Sequence, residues 1–317
     1  MIQLSVNKKM IISCLRIRKI EEKISEIYPS DKIQSPVHLS NGQEAIAVGI
    51  CSHLKKSDLV FGTYRGHALY LAKGGCLKKM MAELYGKRTG CGKGKAGSMH
   101  LSDLEVGVMG CSAIVASTLP HAVGAAYAAK LRKTGQVIVC FFGEGATGEG
   151  VYHESLNFAA NHQLPILFVC ENNSWAIFTN FSQVHSYSMV EHANSYGLSS
   201  KKIEKGWDVE SVSQAAKLEI GKIRKGNGPG WLEFNTFRYM QHVGHLSDID
   251  QGYRSKEDLK DWQRKDPLFS IENDPKYQKL LRKLNSKSKP QLLLPRTLTF
   301  LKIKNCLRMC IDEFTKL

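Results

Sequence analysis

No two of the nine cysteines are spaced as Cys-x-x-Cys, and no dense cysteine framework runs through the 317 residues. That absence excludes disulfide-stapled secreted scaffolds and the common zinc-ribbon patterns. Cys140 in VIVCFF and Cys170 in ILFVCEN lie inside apolar runs, where a free buried thiol is expected. This points to a reducing compartment, the cytoplasm. Long apolar runs are lacking as well. Nothing reaches the roughly 18 residues of a membrane helix, and Pro295, Arg296, Lys302, Lys304 and Arg308 interrupt the apolar stretch near the C-terminus. No membrane span is expected. After Lys8 and Lys9 the run MIISCL is broken by Arg16, too early for a secretory signal. Acidic side chains are scarce, 29 against 44 Lys and Arg, for a net charge of +15. The imbalance sits mainly at the ends. Residues 1–25 carry six basic and two acidic groups, residues 271–317 eleven and four, and residues 26–270 twenty-seven and twenty-three. A nucleic-acid binder would spread its basicity over one face or groove, so no nucleic-acid partner is expected.

What is present reads as a globular α/β chain, with 43% hydrophobic residues. Ile17, Ile20, Ile24 and Ile27 recur at helical spacing, giving an amphipathic helix that ends near Pro29. NGQEAIAVGICSHL (41–54) predicts a second helix, and residues 60–72 lead into a third. KRTGCGKGKAGSMH (87–100) has glycines at 90, 92, 94 and 97 alternating with lysines, and reads as a solvated loop. STLPHAVGAAYAAKLRK (117–133) predicts a helix of small residues. VIVCFF (137–142) and PILFVCE (165–171) are continuous apolar runs of the kind found in strands buried on both faces. A helical pattern to about Asn161 separates them. After a polar stretch of some 30 residues come a helix through 211–225, a GNGPG turn and the strand WLEFNTFRY (231–239). The alternation implies a doubly wound parallel sheet with helices on both faces. Residues 1–270 read as one α/β domain and 271–317 as a basic, helical C-terminal tail.

Ligands of such sheets bind beyond the carboxyl ends of the strands. Two ends carry suitable chemistry. Gly143-Glu144-Gly145-Ala146 follows the first long strand and opens a helix, an anion-favouring arrangement. Glu171-Asn172-Asn173 follows the second and offers hard oxygen ligands suited to Mg²⁺ or Ca²⁺. Alone, the glycine turn fits a plain strand-to-helix connection equally well. The dinucleotide fingerprint is absent, and the 92–98 loop lacks the Gly-Lys-Ser/Thr of a P-loop.

The spacing of these two elements resembles the thiamine-diphosphate motif, Gly-Asp-Gly followed about thirty residues later by Asn-Asn. Six segments in order sharpen the likeness: HLSNGQEA (38–45), TYRGHA (63–68), GKGKAGSMH (92–100), FFGEGATGEGVYHESLNFAA (141–160), LPILFVCENNSWAI (164–177) and FRYMQHVGHLSDIDQGYR (237–254). Over about residues 15–270 the chain resembles the alpha subunit of the decarboxylating first component of 2-oxo acid dehydrogenase complexes, of the pyruvate and acetoin type. The resemblance implies the thiamine-diphosphate-binding fold, with thiamine diphosphate and Mg²⁺ as cofactors. Glu144, the Asn173 side chain and the Trp175 carbonyl would hold the metal. Tyr64, Arg65, Gly145 and Ala146 would contact the diphosphate, and the main chain at Ala113 and Val115 the aminopyrimidine. His38 would face the substrate. His242 would sit by the diphosphate and the reacting carbon, the two histidines titrating near neutrality and serving in proton transfer. Without those motifs both would read as loop histidines and Arg65 as part of a capping ion pair; His67, His100 and His245 are weaker candidates. Glu144 stands where the family has Asp, and Ala113 where glycine is common. The resemblance further implies a beta subunit in a heterotetramer of two alpha and two beta chains, a lipoyl acyltransferase partner, and a small 2-oxo acid, pyruvate first, as substrate. The alternatives are an acetoin-cleaving or C–C bond-forming enzyme using the same coenzyme, and a non-catalytic scaffold.

Overall fold

A computed structural model describes residues 7–33 and 35–272 of the chain. The expected C-terminal tail, with Cys306 and Cys310, lies outside the described residues beyond 272. The N-terminal amphipathic pattern forms α1 (Asn7–Ile27), with Ile17, Ile20 and Ile24 buried. α2 (Glu44–Cys51) is buried along its whole length. Then come β1 (Leu59–Thr63), α3 (His67–Lys73), α4 (Leu77–Leu84), β2 (Val108–Ser112), α5 (Thr118–Leu131), β3 (Ile138–Gly143), α6 (Gly150–Asn161) and β4 (Ile166–Asn172). A short antiparallel hairpin, β5 (Trp175–Ala176) and β6 (Thr179–Asn180), precedes α7 (Met189–Ser195), β7 (Ser199–Ile203), α8 (Val209–Arg224), β8 (Gly230–Asn235), α9 (Lys256–Lys265) and α10 (Pro267–Glu272).

Six strands form one parallel sheet in the order β2-β1-β3-β4-β8-β7. Alternation along each central strand builds two cores. Val139, Phe141, Leu167, Val169, Leu232 and Phe234 join the layer of α1, α2, α3 and α8. Ile138, Cys140, Phe142, Ile166, Phe168, Cys170 and Trp231 join the layer of α5, α6 and α7. Burying each such large side chain stabilises the fold by about 1.5–3 kcal/mol, and coverage of both faces explains why the central strands read as unbroken apolar runs.

The three apolar strands expected from the sequence are β3, β4 and β8, the last ending four residues early at Asn235. Three more were not legible. β1 is a five-residue segment containing Gly62, and β2 and β7 are the sheet edges. Lys201 and Lys202 on β7 are exposed, as suits an edge strand that must not pair with other chains.

The glycine-rich loop 90–97 is wound around an internal carboxylate. Glu83, fully buried on α4, accepts N–H bonds from Gly92 (2.7 Å), Gly94 (2.9 Å), Ala96 (2.7 Å) and Gly97 (3.3 Å). This anion cradle is thus satisfied by the chain's own side chain, and Lys93 and Lys95 point into solvent.

Candidate active site

The strand order places a topological switch point between β1 and β3, since the chain leaves β1 for β2 on one side and returns to β3 on the other. Such a point opens a crevice at the carboxyl ends of the strands. A cavity of about 380 Å³ lies there. It gathers residues from five strand ends: Tyr64 and Arg65 after β1, Ala113 and Val115 after β2, Glu144, Gly145 and Ala146 after β3, Asn173 and Trp175 after β4, and His242 beyond β8. His38 enters from the segment before α2. All eleven residues singled out from the sequence therefore line one cavity. His67, His100 and His245 do not. His67 is fully buried between Glu21 (3.2 Å) and the Ser98 hydroxyl (2.8 Å), and the His245 ring packs on Tyr28.

Three rings from three segments meet in the cavity wall. His38 lies 4.4 Å from Tyr64 and 5.2 Å from His242, ring centre to ring centre, and Tyr64 lies 5.3 Å from His242. Arg65 ties these segments together by donating to the carbonyls of Leu39 (2.6 Å) and His242 (3.2 Å). Its hydrogen bonds in the fold go to these carbonyls rather than to a capping carboxylate. Burial first, and then the neighbouring Arg238, bring its pKa down to about 10. A desolvated cation facing a cavity is suited to an anion.

The histidines are not near-neutral titrating groups, which corrects the sequence expectation. Burial, followed by the charge of Arg65, lowers His38 to about 2 and His242 to about 3. Both imidazoles are uncharged at physiological pH. Arg238, itself buried, approaches His242 Nδ1 at 3.3 Å. Arginine only donates, so Nδ1 accepts and the ring proton sits on Nε2. Arg238 is in turn held by Asp248 (3.1 Å) and the Tyr253 hydroxyl, and Arg254 reaches Asp248 from the other side (3.1 Å).

On the opposite wall the Glu144 carboxylate accepts the Asn173 backbone N–H (3.2 Å). Burial raises its pKa and the Asn173 and Trp175 amides oppose the rise. The Asn173 side-chain oxygen Oδ1 is buried with no hydrogen-bond partner. One carboxylate and an orphaned amide oxygen in the same cavity wall are hard oxygen donors of the kind that fits a divalent cation. Among the described residues no cluster of three His, Cys, Asp or Glu side chains could hold a metal, and this set, with a single carboxylate, does not need one. Gly145 is required here, because an added Cβ would lie 2.9 Å from Ala176 Cβ. Ser174 and Ile177, flanking the β5 strand, have left-handed backbones at φ 68° and 58°, a strained form for a β-branched residue such as Ile177.

Sequence reasoning assigned no role to Gln43 and Arg238, and offered Glu171 only as a general oxygen ligand. All three line the cavity. Burial raises Glu171 to about 7, against the opposing pull of Arg65 and Gln43. Each lies inside a segment already singled out, so the available signal was adjacency alone.

The pattern of the dehydrogenase E1 component family matches residues 13–285. The alpha subunit of acetoin:2,6-dichlorophenolindophenol oxidoreductase from Bacillus subtilis is 40% identical over 261 residues, 82% of this chain and 77% of that one. The pyruvate dehydrogenase E1 alpha subunit of Porphyra purpurea is 37% identical over 262 residues, 80% and 75% of the two chains. Among solved structures, transketolase of Campylobacter jejuni superposes with a TM-score of 0.58 at 17% identity, over 90% of this chain and 52% of that chain, a likeness of fold. Sequence match, parallel sheet and switch-point cavity agree, and the chain belongs to the dehydrogenase E1 component family.

Proposed function

We propose that this chain is the alpha subunit of a thiamine-diphosphate- and Mg²⁺-dependent 2-oxo acid dehydrogenase acting on a small 2-oxo acid, pyruvate first. The observation that carries the reading is the convergence of all eleven motif residues on one cavity at the switch point. Glu144, Asn173 Oδ1 and the Trp175 carbonyl hold the metal. Tyr64, Arg65 and the main chain of Gly145 and Ala146 bind the diphosphate, with Arg65 supplying charge-assisted bonds. The main chain at Ala113 and Val115 meets the aminopyrimidine. When bound, the coenzyme supplies the electron sink for loss of CO₂. This chain's residues orient the reactants, exclude water and manage protons. His242, with its proton on Nε2, donates a hydrogen bond to an oxygen that gains charge, and neutral His38 lines the substrate side. Neutral donors suit this task because the buried arginines already supply positive charge.

The beta subunit in a heterotetramer, a lipoyl acyltransferase partner and a cytoplasmic location belong to the same reading. The seven described cysteines are all free, and no helix among the described residues is long and apolar enough to cross a membrane. A second reading, acetoin cleavage with the same coenzyme, is favoured by the 40% identity to the Bacillus subtilis acetoin subunit. The test is to purify the chain with its beta subunit and follow reduction of an artificial dye acceptor with pyruvate or acetoin, with and without thiamine diphosphate and Mg²⁺. Coenzyme-dependent turnover of pyruvate is the expected result. Turnover of acetoin alone selects the second reading, and no turnover with no coenzyme retained returns the scaffold alternative.

A further inference from the structure

An asparagine amide has a donor end and an acceptor end of nearly the same shape, and only the oxygen can hold a cation. Asn173 therefore serves as a metal ligand only if something fixes which end faces the cavity. Its neighbours form a directional relay. The Gln43 amide N–H donates a hydrogen bond to the Glu171 carboxyl group, opposing the rise that burial gives it. That leaves Gln43 Oε1 on the other side, where the Asn173 Nδ2 group donates to it at 3.3 Å. Asn173 Oδ1 is left turned away, buried and without a partner. A reversed Asn173 would set two oxygens against each other at Gln43 and present N–H groups where Oδ1 now lies.

We propose that Gln43 is a positioning residue of the metal site: bridging Glu171 and Asn173, it holds Asn173 Oδ1 toward the cavity as a cation ligand. This rests on the reading of Glu144, Asn173 and Trp175 as the metal-holding set. Gln43 is well placed for the task. It is 2% exposed, stands at the start of the fully buried α2, and its backbone N–H is fixed on the Ser40 carbonyl at 2.9 Å. Next to it, Glu44 is clamped by Arg18, so the turn carrying Gln43 has little freedom to follow a flipped amide.

The test titrates Mg²⁺ by calorimetry into the coenzyme-stripped assembly at saturating thiamine diphosphate. Gln43→Met keeps the side-chain shape and removes both hydrogen bonds. Loss of an outer partner of a metal ligand typically weakens metal binding by about 10–100-fold, so Q43M should raise the Mg²⁺ half-saturation at least about tenfold. In an Asn173→Asp background either end of the side chain is an oxygen, so the same substitution should cost less than about threefold. A purely structural role for Gln43 predicts equal loss in both backgrounds, and that result overturns the proposal. Wild-type uptake matched by Q43M overturns the relay alone, whereas no Mg²⁺ uptake by the wild type overturns the metal-site reading and the relay with it. Should Q43M fail to assemble, Glu171→Leu breaks the relay at its other end and carries the same expected loss and the same rescue by N173D.

Discussion

Replacing Arg65 by glutamine separates what the site costs the fold from what it does for the ligand. Burial and Arg238 bring the Arg65 pKa from 12.5 to about 10. At about 1.4 kcal/mol per pH unit, keeping this guanidinium charged destabilises the coenzyme-free chain by about 3 kcal/mol. Glutamine keeps a donor for one of the two carbonyls that Arg65 now serves, at Leu39 and His242. Losing the other bond costs about 1 kcal/mol. Glu171 would lose its cationic neighbour, but burial already raises it to about 7, so it takes up a proton instead of remaining a bare buried charge. The balance is a gain of about 2 kcal/mol, seen by scanning calorimetry as a rise in Tm of roughly 4 °C at this chain length. With ligand the sign reverses. One charge-assisted bond to the diphosphate is worth about 1.5–3 kcal/mol, so Kd for thiamine diphosphate should rise about 10- to 150-fold. A coenzyme-free R65Q protein that melts below wild type, or one that binds coenzyme equally well, would refute the account of Arg65 as an unrelieved cation awaiting an anion.

The two active-site histidines should show no imidazole titration between pH 5 and 8 by NMR, since His38 and His242 lie near 2 and 3. Both values are below the unfolded 6.5, so the unfolded chain takes up protons first; stability relative to a His38→Gln variant should fall by roughly 1.4 kcal/mol per pH unit as pH drops below 6.5, and a flat difference contradicts the assignment. Glu83→Gln replaces one acceptor oxygen by a donor facing the loop amides; it should lower stability by about 3 kcal/mol and expose loop 90–97 to hydrogen exchange, and unchanged exchange rejects the cradle. Ile177→Gly relieves a left-handed backbone at φ 58° on a half-exposed side chain. It should raise stability by about 1 kcal/mol, read from denaturant unfolding, unless that backbone is unstrained.

The central strands were legible because VIVCFF and PILFVCE are buried on both faces, and such burial writes itself into contiguous sequence. β1, β2 and β7 left no such record. Two are edges that mix buried and exposed residues, Met109 on β2 and Lys201 and Lys202 on β7 being exposed, and β1 is interrupted by Gly62. The GNGPG turn and the helix before it were read within two residues of α8 and β8, since turn chemistry is local.

For the site, contiguous motifs made Tyr64 with Arg65, Glu144 with Gly145, and Asn173 with Trp175 readable as candidates, along with the family they belong to. The sequence by itself determined these residue types, their spacing and the alternation of strand and helix, because each is settled by neighbours along the chain. Tertiary structure alone decided the rest. A backbone bridge between His38 and Gly244, with Arg65 bonded to the Leu39 and His242 carbonyls, brings the rings of His38 and His242 within 5.2 Å. Burial beside Arg65 makes both histidines neutral, where solvent would leave them near 6.5. The Gln43 amide, supplied from the start of α2, faces Asn173 and turns its oxygen inward. Charge state and hydrogen-bond direction depend on what surrounds a group in three dimensions, and no local pattern in the sequence encodes that.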